Sequence, residues 1–119
     1  MKHSTLKSFQ YASNGLLTAI KNEPNLRIHV AIAAVALLAG GLLKLDTIEW
    51  IVLLLTIFLV IILELINTVL ENLVNIVSPN FNEYAKKAKD ISAAAVLVSA
   101  ILSVVVGVVL FGPKLVSLF

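Results

Sequence analysis

The chain contains no cysteine, and only 13% of its 119 residues are charged. Without cysteine there is no disulfide framework and no thiolate metal site, and the redox compartment stays open. Ordinary soluble domains carry about 25% charged residues, so this composition cannot clothe a fold in water on every side. A net charge of +2 is too small to suggest a nucleic-acid partner. Internal repeats and low-complexity linkers are lacking too, and 119 residues make one domain at most. The N-terminus does not read as a cleaved signal: Gln10, Asn14, Lys21 and Asn22 interrupt its apolar residues, and no apolar run precedes a small-residue cleavage site. What the chain does have is hydrophobic residues, at 60%, with a mean hydropathy of +1.02. It suits lipid.

Four helical segments are expected. Over 4–22, Leu6, Phe9, Ser13, Leu16, Leu17 and Ile20 share one side at 100° per residue, opposite Lys7, Gln10, Tyr11, Asn14, Thr18 and Lys21. That is the pattern of a helix lying in a membrane interface, ended or bent by Pro24. A first span over 26–43 is long enough to cross when Arg27 snorkels at its end, and Gly40 and Gly41 permit close helix approach or a break. A short polar turn then leads to Trp50 at a membrane interface. The second span, 48–77, exceeds the hydrocarbon core at roughly 45 Å and closes at Ser78-Pro79-Asn80. The third, 84–112, opens on a charged turn, continues without charge from Ile91, and is expected to end at Pro113 and Lys114. The expectation is an all-α membrane protein, an interfacial helix plus three transmembrane helices in one domain, 1–119.

Basic residues set the topology. Lys2, Lys7, Lys21 and Arg27 precede the first span and Lys86, Lys87 and Lys89 the third, leaving Lys44 in the first loop and Lys114 at the end. The N-terminus and second loop are therefore expected in the cytoplasm and the C-terminus outside.

Glu64, Asn67, Thr68, Glu71 and Asn75 recur at i, i+3, i+4, i+7 and i+11, which places them on one face of the second span. An acidic residue at the centre of a membrane helix costs about 2.5 to 3.5 kcal/mol on insertion scales, so two of them need a reason. One carboxylate can hold a hard divalent cation while the other takes a proton from a hydroxyl; contact with interfacial water or a snorkelled lysine is the plainer account. Lys86, Lys87 and Lys89 are placed to meet phosphates, or serve only as positive-inside flanks. Asp90 fits the flank account less well, although it can complement the helix dipole. Glu23 and Arg27 have the spacing of an i, i+4 ion pair, and His29 is assigned no role. From the residues alone, a phosphotransferase acting on a lipid hydroxyl and an ion-coupled membrane protein both remain open.

These residues resemble those of the small bacterial integral-membrane lipid kinases, the diacylglycerol kinase/undecaprenol kinase family. Leu63-Glu64-Leu65-Ile66-Asn67-Thr68-Val69-Leu70-Glu71 looks like its E-x-x-N-[ST]-x-x-E signature. Ala85-Lys86-Lys87-Ala88-Lys89-Asp90 with Ser92-Ala93-Ala94-Ala95-Val96 looks like its A-K-x-A-K-D-x-x-A-x-A-V segment, and Asn22-Glu23 with Phe9, Ala12 and Gly15 matches the N-terminal part. The resemblance covers nearly the whole chain. It implies a homotrimeric helical bundle in the bacterial cytoplasmic membrane, with sites between subunits, that moves the γ-phosphoryl of ATP, with Mg²⁺, onto a lipid hydroxyl. No glycine-rich Walker loop is present, and the family has none.

By position, the resemblance makes Glu64 the base for the lipid hydroxyl and Glu23 and Glu71 the metal ligands with ATP. It has Asn67 orient the site, Lys89 meet the phosphates and Asp90 the nucleotide, with Tyr11 lining the nucleotide site. Three positions depart from the family pattern: Asn75 stands where members usually have Asp, Phe81 and Asn82 replace a His-containing stretch, and Ser4 replaces a basic residue of some members. The run Glu23-Pro24-Asn25-Leu26-Arg27-Ile28-His29 and Glu49-Trp50 look more like the undecaprenol kinase branch, so undecaprenol is the expected acceptor and diacylglycerol the alternative. The alternatives to a kinase are a catalytically impaired relative, suggested by Asn75 and the altered loop, and an ion-coupled transporter subunit.

Overall fold

The computed structural model describes residues 4–119; Lys2, counted above toward the topology, lies outside them. The described chain forms four α-helices: α1 (Thr5–Asn22), α2 (Pro24–Leu42), α3 (Thr47–Val77) and α4 (Glu83–Val116). The last three are long and apolar enough to cross a membrane. At about 1.5 Å per residue, the 31 residues of α3 and 34 of α4 outrun a hydrocarbon core of about 30 Å. One end of each therefore projects beyond the lipid.

Three of the four helices, α1, α3 and α4, start on a side chain that satisfies orphan amides. The Ser4 hydroxyl accepts from the Lys7 N–H at 3.3 Å. Asp46 and Glu49 form a reciprocal capping box on α3, at 2.8 and 3.1 Å. Asn82 accepts from the N–H groups of Tyr84 and Ala85, so this residue of the departing loop begins α4. Pro24 occupies the first turn of α2, where its missing N–H is not needed. It separates α1 from α2 across Glu23, whose extended backbone caps both helices.

At the helix ends one open alternative is closed and one expectation is corrected. The pair between Glu23 and Arg27 does not form: the Arg27 guanidinium donates to the carbonyls of Ile20 and Lys21, at 2.8 Å each. Those carbonyls are orphaned where α1 stops, and a cation there also complements the helix dipole. Nor do Pro113 and Lys114 end the last span, because α4 runs through Pro113 to Val116. Lys114 reaches back to Glu49 at 3.2 Å, and the Ser117 N–H finds the Pro113 carbonyl. The end of α4 is thus tied to the start of α3 despite the proline.

Packing is strongest between α3 and α4, weaker between α2 and α3, and α1 touches α2. The best-buried cluster, Leu45, Leu53 and Leu110 with Ala36, Trp50, Ile57, Val106 and Phe111 around it, lies near the α2–α3 turn. That turn closes with Lys44 in the left-handed region (φ 56°) and the Leu45 N–H bonded to the Gly40 carbonyl at 3.1 Å, an arrangement usually given to glycine. Gly40 is needed there for space: a Cβ on it would lie 2.9 Å from the Trp50 ring and 3.0 Å from Leu45, whereas one on Gly41 meets nothing within 4 Å. Gly40→Ala is expected to destabilise the protein by about 1–3 kcal/mol, the usual range for overpacking, and Gly41→Ala to change little. Thermal unfolding in detergent compares the two.

The molecule measures 56 × 39 × 22 Å, about two helices thick. Along α3 and α4, Leu55, Phe58, Ile66, Leu97 and Val98 are exposed, the surface a lipid-facing or subunit-facing helix presents.

Candidate active site

The polar stripe on α3 remains a stripe in three dimensions. Glu64 is 2% exposed and Asn67 7%; Glu71 is half-buried and Asn75 exposed, so burial falls toward the α3–α4 turn. The Asn67 amide donates to Glu71 Oε1 at 3.0 Å. The Thr68 hydroxyl donates to the Glu64 carbonyl at 3.1 Å, which turns its polar atom into its own helix. Asn67 Oδ1 is buried without a partner. A buried acceptor left open is costly and marks a place where a donor is wanted.

Two further elements meet the stripe. From α2, His29 Nε2 stands 3.9 Å from Glu64 Oε2, with side chains 20% and 3% exposed. Glu23 lines a cleft between α1 and α3 together with Gly15, Asn22, Thr68 and Asn72. Tyr11 is exposed on α1 and is not in that lining.

From α4, the Lys89 ammonium hydrogen-bonds Asn75 Oδ1. This contact extends the stripe onto the basic turn. Asn75 therefore receives Lys89 without neutralising it, as a carboxylate there would. Asp90 does not reach the stripe; it pairs with Lys86 at 2.6 Å, and Lys87 pairs with Glu83 at 3.5 Å. Lys89, Asp90, Asn75 and Asn82 together line a shallow cleft at the α3–α4 turn.

Among the described residues, no three His, Asp or Glu side chains are gathered to hold a metal ion by themselves. Mg²⁺ ordinarily takes one or two carboxylates plus substrate oxygens rather than an all-protein cage. The carboxylates of Glu23 and Glu71 are oxygen donors of the type that requirement calls for.

Below His29, an apolar groove of about 370 Å³ runs between α2, α3 and α4 as far as Leu43 and Leu115. A buried acid with half-buried acids near it, a lysine, and an apolar groove leading away from them along a membrane bundle are what a phosphotransferase acting on a lipid would need. Residues 10–111 match the family model for prokaryotic diacylglycerol kinase. The chain belongs to that family.

Relatives within and around the prokaryotic diacylglycerol kinase family carry two names. Undecaprenol kinase of Bacillus subtilis (strain 168) is 38% identical over 109 residues, 92% of this chain and 89% of that protein. Diacylglycerol kinase of Synechocystis sp. is 46% identical over 114 residues, 95% of this chain but 65% of that longer protein. Diacylglycerol kinase of Escherichia coli (strain K12) is 30% identical over 100 residues, 84% of this chain and 82% of that protein.

The sequence pattern missed His29 as a neighbour of Glu64 and Arg27 as the cap of α1. The signal available for His29 was a polar side chain inside an otherwise apolar span. Its partner depends on how α2 crosses α3, which no local pattern carries.

Proposed function

We propose that this chain is an ATP- and Mg²⁺-dependent lipid kinase of the bacterial cytoplasmic membrane that phosphorylates undecaprenol. The observation that carries the reading is the buried Glu64 carboxyl, set between an apolar groove on one side and the Asn67–Glu71 pair and Lys89 on the other. A long-chain alcohol lies in the membrane with its hydroxyl at the interface. A nucleotide reaches the site from water.

In this scheme Glu64 takes the proton of the acceptor hydroxyl as that oxygen attacks phosphorus. Glu23 and Glu71 would hold the metal, which when bound neutralises phosphate charge. Asn67 fixes Glu71 through its amide, Lys89 faces the phosphates, and Asp90 and Tyr11 border the nucleotide. The chemistry is positioning and charge neutralisation, as phosphoryl transfer generally requires. The supporting topology puts every basic residue except Lys44 and Lys114 on the cytoplasmic side, with the C-terminus outside. A homotrimer would cover the apolar faces of α3 and α4 and could supply the donor that Asn67 Oδ1 lacks.

Diacylglycerol is the second reading, favoured by the 46% identity to the Synechocystis diacylglycerol kinase. Undecaprenol is favoured by the near full-length match to undecaprenol kinase and by the Glu23–His29 run and Glu49-Trp50. The test is phosphate transfer from labelled ATP with Mg²⁺ to each lipid in parallel mixed micelles, with Glu64→Gln as the blank. Labelled undecaprenol in excess over labelled diacylglycerol is expected. The reverse ratio would reassign the substrate, and label in neither lipid would overturn the kinase.

A further inference from the structure

The separation between His29 and Glu64 is informative. At 3.9 Å the two polar atoms are too far apart for a direct hydrogen bond. They are at the right distance for one oxygen atom between them. An oxygen about 2.8 Å from both atoms closes a triangle on that edge with an angle near 90°, within what two hydrogen bonds to one hydroxyl tolerate.

The groove leads to the same point. His29 is its polar end, and about 21 Å of helix separates His29 from Leu43 at the far end, at 1.5 Å per residue. Two other polar side chains that line it are committed elsewhere: the Thr56 hydroxyl donates to the Val52 carbonyl at 2.8 Å and the Ser103 hydroxyl to the Ala100 carbonyl at 2.7 Å. Among the described residues in this lining, His29 is the polar side chain left to address a ligand. A hydrocarbon chain lying in the groove brings its terminal hydroxyl to the imidazole and Glu64.

We infer that His29 is a catalytic residue that, with Glu64, forms a two-point seat for the acceptor hydroxyl of a long-chain lipid alcohol. The inference rests on the lipid kinase reading and adds the group that aims the nucleophile. The His29 Nε2–H donates to one lone pair of the acceptor oxygen, and the acceptor O–H donates to Glu64 Oε2. The second lone pair is left pointing at phosphorus. As Glu64 takes the proton, that lone pair forms the new O–P bond. The bond from the γ-phosphorus to the bridging oxygen breaks, and its electron pair leaves with the nucleoside diphosphate. The imidazole orients the oxygen; the proton goes to the carboxylate.

The experiment compares wild type, His29→Leu and His29→Gln for steady-state transfer to undecaprenol and to diacylglycerol, with KM for ATP measured alongside. His29→Leu keeps volume and removes the donor, whereas His29→Gln restores an N–H at nearly the same reach. The expected result for His29→Leu is a loss of roughly 10- to 100-fold in kcat/KM for the lipid, the scale of a misplaced nucleophile. KM for ATP should stay unchanged while the lipid parameters move, and His29→Gln should recover much of the loss. A merely structural histidine would move nucleotide and lipid parameters together, and that pattern would overturn the assignment. So would wild-type kcat/KM in His29→Leu while wild type is active, with the kinase reading left standing. A wild-type protein that labels no lipid removes both readings at once.

Discussion

Glu64→Gln is expected to abolish phosphate transfer while leaving the protein folded and at least as stable as wild type. The two halves of that expectation have different physical origins. A positioned general base contributes about 10²- to 10⁴-fold, and a glutamine of the same shape cannot accept the hydroxyl proton. The stability half follows from burial: at 2% exposure an ionised carboxylate in a membrane helix carries a penalty of about 2.5 to 3.5 kcal/mol on insertion scales. An amide avoids most of it. The neighbouring contacts do not oppose this result, since the Thr68 hydroxyl bonds the Glu64 backbone carbonyl and is untouched by the substitution. The measurement is transfer from labelled ATP together with thermal unfolding in the same detergent. Loss of activity with an unchanged or raised midpoint identifies a group held for chemistry. Loss of both would mark Glu64 as structural, and retained activity would leave the site without a base.

Much of the fold was legible because its signals are local. The absence of charge from 91 to 112 and the apolar run before Glu64 announce membrane helices, and each observed boundary at α1, α2 and α3 lies within two residues of the expected one. The stripe from Glu64 to Asn75 was legible for the same reason, as helical periodicity fixes which side chains share a face. Errors arose where a distant residue decides the outcome. Pro113 reads locally as a stop, but Lys114 pairs with Glu49 on another helix and α4 continues for another turn. Arg27 reads locally as a partner for Glu23, but the break at Pro24 turns the end of α1 toward it and offers two carbonyls.

The proposed functional residues divide in the same way. Glu64, Asn67 and Glu71 could be assigned together because one helix carries them. Lys89 joins them through Asn75, one turn below Glu71, and that contact is made by the close packing of α3 on α4. Asp90 and Lys86 pair on the outer face of α4, so a part for Asp90 at the nucleotide requires that pair to open or to act through the cleft at the turn. Family resemblance named Asp90 but could not supply its orientation. His29 is the converse case, since the chain pattern gave no role to a side chain that the packing sets beside Glu64.

Glu71→Gln separates the metal from the base. Both substitutions should silence transfer, but only Glu71→Gln is expected to silence the response to nucleotide. In wild type, Mg²⁺ and ATP at 100 times the dissociation constant should stabilise the folded protein by about 2.7 kcal/mol. That is a shift easily seen in thermal unfolding. Glu64→Gln should keep this shift, because its carboxyl is assigned to the lipid side of the reacting phosphorus. Glu71→Gln should lose most of it, since a neutral amide is a poor ligand for a hard cation, and transfer should fall by roughly 100-fold or more, the scale of a lost electrostatic contact to the transferring group. The fold should survive, because glutamine Oε1 can still accept from the Asn67 amide, now at 3.0 Å from Glu71. Restoring a carboxylate one turn away with Asn75→Asp is not expected to rescue it: an aspartate there would pair with Lys89 and neutralise the cation that faces the phosphates. If Glu71→Gln keeps both the thermal shift and full transfer, Glu71 is not a metal ligand. The buried open oxygen of Asn67 would then need a partner other than a cation held at Glu71.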